Sequence, residues 1–168
     1  MLLPAPESLV RMLKPWNEYY SHSKGAETVV QFVHIGGLLL AGGLAVAADR
    51  GTLRAVRSGV ADRPHHLREL GAVHQWVLTG LTLVVLSGLA LLASDIETFF
   101  GSWIYWTKMG LVAVLLINGF MMTRVERALD TDPAETSPNW SALHRTAVTS
   151  LVLWFTIAAF GIALVNFS

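Results

Sequence analysis

The chain has 168 residues, 53% of them hydrophobic and only 14% charged, where a soluble domain carries roughly 25% charged residues to face water. Its formal net charge of zero lacks the basic excess that a nucleic-acid partner needs. With no cysteine, disulfides, thiolate metal sites and a cysteine nucleophile are excluded, and no phosphate loop, nucleophile–base pair or metalloprotease motif is present.

Residues 1–26 form an outer leading segment. Pro4, Pro6 and Pro15 and several charges interrupt it, so it lacks the apolar core of a secretory signal. Leu9, Val10, Leu13 and Trp16 alternate with Arg11 and Lys14, which suits a short interfacial helix lying on the membrane; a partly ordered tail accounts for the same residues. Residues 27–168 then read as one transmembrane domain. A spanning helix needs about 20 mostly apolar residues. Residues 28–48, 70–94 and 146–166 carry no acidic or basic charge, and 98–123 carries only Lys108. Without water in the bilayer core each stretch must pair its own backbone, which makes it a helix. The expectation is an all-α polytopic membrane protein, a four-transmembrane-helix antiparallel bundle.

Arginines give that bundle a direction. The first connection holds Arg50, Arg54, Arg57, Arg63 and Arg68, and the third holds Arg124, Arg127 and Arg145; the other side holds only Arg11, Lys14 and Lys24. The positive-inside rule then puts both termini outside, N-out and C-out. Phe99, Phe100, Trp103, Tyr105 and Trp106 crowd the outer end of the third span, where amphipathic rings favour the headgroup level. Asp132-Pro133 and Ser137-Pro138-Asn139 mark a turn in the third connection.

Small residues dominate the first span: Gly37, Ala41 and Ala45 fall at i, i+4 and i+8, with Gly43 and Ala47 as a second pair. Gly80, Gly88, Gly110, Gly119 and Gly161 continue the theme in the other spans. Close helix packing explains such faces; a flat cofactor lying on one of them explains them equally. Asn118, Thr79 and Thr82 read as interhelical hydrogen-bond partners.

Ionisable residues inside the membrane are costly and by default face the bundle interior. His34 lies about 10 Å below the outer boundary, with Gln31 on the same face, and Lys108 enters the third span to a similar depth. A lysine beside it would keep His34 neutral and able to ligate a metal; alternatively Lys108 snorkels to the interface and His34 bonds a neighbouring helix. His74 and His144 begin the second and fourth spans at the opposite boundary. Two histidines at one depth suit a six-coordinate haem held between helices, and they equally suit headgroup-wetted helix starts. His34 lies roughly 15 Å from either along the membrane normal, too far to be their trans ligand. His22, His65 and His66 read as solvated.

The order of these features resembles an uncharacterised family of four-helix bacterial membrane proteins. It is distantly similar to the copper-resistance protein D domain and to the membrane haem-binding protoporphyrinogen oxidases. The segments that carry the resemblance are Phe32-Val33-His34-Ile35-Gly36 through Ala48-Asp49-Arg50; Trp76 to Ser87-Gly88; Trp106-Thr107-Lys108-Met109 with Asn118-Gly119; and Ser150 to Trp154 with Gly161. In the haem-binding relatives a first-helix histidine, the arginine at that helix's inner end and a third-helix lysine are the functional set, which by position implies His34, Arg50 and Lys108. Gly51 follows Arg50 directly and is expected to break the helix there.

Two functions follow as expectations. One is a b-type haem-binding redox or electron-transfer protein of the bacterial inner (cytoplasmic) membrane, with quinone as a possible partner. Its haem iron is held by His34 on the resemblance, or by His74 and His144 on their shared level, with Trp106, Trp76 and the glycine faces along the ring. The other is a haem-free accessory subunit that packs against other membrane protein subunits of a larger respiratory or photosynthetic complex. Transport of a small ion past His34 and Lys108 is a third, lesser competitor.

Overall fold

The structure, a computed structural model, describes residues 4–58, 63–131 and 138–167. The described residues contain helices and no strand: α1 (Glu7–His22), α2 (Lys24–Ser58), α3 (Arg63–Ser94), α4 (Ile96–Gly101), α5 (Trp103–Thr131) and α6 (Asn139–Phe167). Four of them, α2, α3, α5 and α6, are long and apolar enough to cross a membrane. The side chains of Arg63, His65, His66 and Arg68, and the Asp132-Pro133 turn, lie outside the described residues.

The leading segment is a helix, α1, and its end explains the start of α2. Ser23 takes an extended conformation that stops α1, and its hydroxyl then accepts the Ala26 N–H, satisfying one of the donors that a new helix leaves open. The first span therefore begins at Lys24, four residues before the charge-free stretch. At its other end α2 runs through Gly51 to Ser58. The expected break does not occur, because an isolated glycine costs a helix only about 1 kcal/mol and Thr52 and Ala55 beyond it are buried against the bundle.

The third span is shorter at its start than its composition suggests. Asp95 caps α4 by accepting the Thr98 N–H, and Ser102 is extended, so residues 98–101 belong to a separate turn and α5 starts at Trp103. Aromatic rings hold this corner. Phe100 meets Trp106 edge to face at 5.1 Å, Tyr105 meets Trp106 at 5.5 Å, and the Trp106 indole N–H donates to the Phe100 carbonyl at 3.0 Å.

Packing runs α3–α2–α6–α5, while α3 and α5 share no extended contact. Paired residues run in opposite directions at each contact: His34 with Ser87 and Gly37 with Gly80 between α2 and α3, Gly42 with Trp154 and Asp49 with Ser150 between α2 and α6, and Lys108 with Gly161 and Asn118 with Thr146 between α5 and α6. The α2–α3 crossing is the tightest. A Cβ on Gly80 would lie 2.7 Å from the Ala41 nitrogen and 3.0 Å from the Gly37 carbonyl, which only a glycine permits. Ala41, Leu115, Leu153, Trp154 and Ile157 form the central core, and Leu129, Trp140 and Leu143 a second one towards the arginine-rich connections. α1 lies across the far end of α3, with the Trp16 indole N–H donating to the Ala90 carbonyl at 2.9 Å and Asn17 bonding the Ser94 carbonyl.

Candidate functional site

Polar side chains inside the bundle fall at two levels. The first lies in the half nearer α4. His34 is half-buried on α2, and its Nδ1 is 3.0 Å from the Ser87 hydroxyl oxygen of α3. That hydroxyl has a single proton, and it is only 2.5 Å from the Leu83 carbonyl one turn back. A carbonyl can only accept, so the Ser87 proton goes to Leu83 and the Ser87 oxygen accepts from His34. This bond pattern puts the imidazole proton on Nδ1 and leaves a lone pair on Nε2. Gly88 lies against the ring, where an added Cβ would sit 3.4 Å from His34 Cε1, in ordinary van der Waals contact.

Lys108, on α5, completes this level. It is partly buried, its ammonium lies over Gly161 of α6, where an added Cβ would meet Nζ at 3.7 Å, and its charge acts on His34. Four helices thus contribute to one place: His34 from α2, Ser87 and Gly88 from α3, Lys108 from α5 and Gly161 from α6. Ser87 is the member that sequence reasoning missed. The signal was present, because Ser87-Gly88 falls opposite His34 once α2 and α3 are folded antiparallel.

Arg50 is not part of this level. It lies roughly 24 Å along the axis of α2 from His34, given the rise of an α-helix, and is exposed beside Leu53, Arg54 and Arg57 in a surface groove. Trp76 is 60% exposed on the outside of α3, and Trp106 is spent on the α4 corner. Thr79 and Thr82 bond the Gln75 and Leu78 carbonyls of their own helix, so they do not join helices as expected. Asn118 does, donating to the Thr146 carbonyl at 2.9 Å.

The second level lies in the half nearer the arginine-rich connections. Because α3 and α5 stand apart, a cavity of about 300 Å³ remains between them, floored by α2 and α6. Its walls are mostly apolar, with Phe120 and Trp154 among them, and its polar lining includes Asp49, His74, Glu126 and Ser150. Asp49 is 2% exposed. Ser150 hydrogen-bonds its carboxyl group, while Oδ2 has no hydrogen-bond partner among the described residues. His74 lines this cavity and His144 does not; α3 and α6, which carry them, share no extended contact. Among the described residues no group of three or more His, Cys, Asp or Glu side chains is placed to hold a metal ion.

Comparison with known proteins places the chain in a family. The model of a family of unknown function, DUF6644, matches residues 18–168, and the chain belongs to that family. No curated protein and no solved structure matches the chain.

Proposed function

We propose that this member of the DUF6644 family is a membrane-embedded, b-type haem-binding redox subunit in which His34 is the iron ligand. The observation that carries the proposal is the bonding of that imidazole. Metal-ligating histidines characteristically donate their second ring N–H to a fixed acceptor, which sets the tautomer and aims the free nitrogen. Ser87 is such an acceptor for His34. Lys108, within electrostatic reach, offers the cation that a propionate needs, and Gly88 and Gly161 lie beside the two side chains.

The fit is poorer at the second level. The cavity at His74 carries Asp49 and Glu126 and no Lys or Arg in its lining, an unfavourable setting for a dianionic porphyrin edge. The observations therefore support His34 over the pair His74 and His144. A haem at His34 would supply one-electron chemistry inside the bilayer. The chain's part is to hold the imidazole neutral and oriented, to balance charge with Lys108 and to exclude water. The orientation proposed with this reading puts the α4 end outside and the arginine-rich end in the cytoplasm of a bacterial inner membrane.

The deciding measurement is a reduced-minus-oxidised absorption spectrum of protein purified from haem-replete cells. A Soret band with sharp α and β bands is expected, lost in His34→Ala and kept in His74→Ala and His144→Ala. No band in the wild-type protein overturns the proposal, and a band that survives His34→Ala moves the ligand elsewhere.

One observation favours a second reading, an accessory subunit of a larger membrane complex. Gly36, Gly43 and Gly110 have nothing within 4 Å of where a Cβ would stand, so these small-residue surfaces are not consumed among the described residues. Partner helices approach such surfaces closely. Mild-detergent purification tests this: a constant companion subunit supports it, and a chain that always emerges alone counts against it.

A further inference from the structure

The cavity between α3 and α5 plays no part in the chemistry proposed at His34, and one feature of it points to a ligand. Asp49 is almost completely buried, lines the cavity, and has an oxygen with no hydrogen-bond partner among the described residues. Ser150 satisfies part of the carboxyl's bonding capacity from α6. A buried oxygen left without a donor is costly, and more so in an apolar surrounding. The site calls for a donor that the described residues do not supply.

Three further features define which donor fits. The cavity lies in the gap between α3 and α5, a side of the bundle that hydrocarbon covers in the membrane, so a ligand dissolved in the bilayer can reach it. Its lining contains two acidic residues, His74 and no Lys or Arg, which disfavours phosphate and carboxylate headgroups. Trp154 and Phe120 are in its wall and offer faces to a flat ring. A volume of about 300 Å³ is at the small end for ligand pockets, enough for one ring-sized head whose tail stays among the lipids.

We propose that this cavity binds the head of a quinol-class amphiphile, a hydroxylated ring whose O–H donates to Asp49 Oδ2. The site gives the redox reading its quinone partner. Binding at Asp49 does not require haem at His34, however, so the two proposals fail separately.

The test uses the full chain in lipid nanodiscs, a short-tailed hydroquinone kept reduced, and its dimethyl ether, which keeps the ring but removes both donors. Both compete with a diazirine-bearing hydroquinone whose adducts are mapped by mass spectrometry. Adducts are expected on α3 and α5 around the cavity, with the hydroquinone competing about tenfold or more better than the ether. That preference should collapse in Asp49→Leu and partly survive in Asp49→Asn, which keeps an acceptor oxygen. If Asp49→Leu does not fold, the ether on wild-type protein still carries the comparison. An ether that competes equally well, or adducts elsewhere, overturns the proposal. So does an aryl-alkyl ammonium of the same size that outcompetes the hydroquinone, since Asp49 would then serve a cationic amphiphile.

Discussion

Asn118 and the threonines of α3 show how differently polar residues behave inside one bundle. Asn118 is buried and spends an amide proton on the Thr146 carbonyl of the next helix, whereas Thr79 and Thr82 return their protons to their own helix. Replacing Asn118 by Leu should therefore destabilise the bundle by about 0.6 kcal/mol, the average for such bonds in lipid, and Thr79→Val and Thr82→Val should change little. Unfolding in mixed micelles measures all three. Ser87 is a sharper case, because its value lies in orienting another residue. If His34 ligates haem, Ser87→Ala should weaken haem binding about 10- to 100-fold, the usual cost of removing a ligand's outer partner. The absorption bands should return at saturating haem, as a titration of apoprotein would show. Unchanged affinity would mean that His34 is not held for that purpose.

At the scale of helices, the glycines divide into two groups that composition does not separate. Gly37, Gly42 and Gly80 are packed against neighbouring chain, while Gly36, Gly43, Gly110 and Gly119 meet nothing. Gly80→Ala should overpack the α2–α3 crossing, where the Cβ would meet backbone, at a cost of about 1–3 kcal/mol. Gly110→Ala should be neutral or slightly stabilising, since it meets no atom and raises helix propensity. Thermal unfolding in detergent distinguishes the two. The existence of four long apolar helices was legible in the sequence, because hydrocarbon imposes it over about 20 residues. Most of their ends were not, although α3 does end at Ser94 as expected. Ser23, Asp95 and Ser102 set boundaries through single caps and bends, and α2 continues past Gly51 because buried Thr52 and Ala55 outweigh one glycine. Both are local or tertiary effects that hydropathy averages away.

Taken whole, the molecule is a bundle with one side left open, and this explains what the sequence revealed of its sites. Depth along a helix follows from counting residues, so His34 and Lys108 could be set at one level beforehand, and Lys108 does reach over Gly161 with His34 in range of its charge. Which helices touch depends on packing, so the gap between α3 and α5 was not visible, the partnership with Ser87 was implied only by the antiparallel register of α2 and α3, and Asp49 read only as the end of a span. The ends of the bundle also differ in a way that bears on insertion. Eight arginines lie at or beyond the membrane ends on one side, against Arg11, Lys14 and Lys24 on the other. Three of those eight, Arg50, Arg54 and Arg57, ride on the single long helix α2, where they lie close to the apolar span and count fully towards orientation. The α4 end should therefore face outward and the arginine-rich end the cytoplasm. Because the chain has no cysteine, single reporters suffice: Glu97→Cys on α4 and Ser141→Cys at the start of α6, both exposed positions. In right-side-out vesicles an impermeant maleimide should label the Glu97→Cys protein and spare the Ser141→Cys protein until the membrane is opened. Inside-out vesicles should reverse the pattern. Labelling of the Ser141→Cys protein from outside would invert the bundle, placing His34 and Lys108 in the cytoplasmic half and the Asp49 cavity in the outer one.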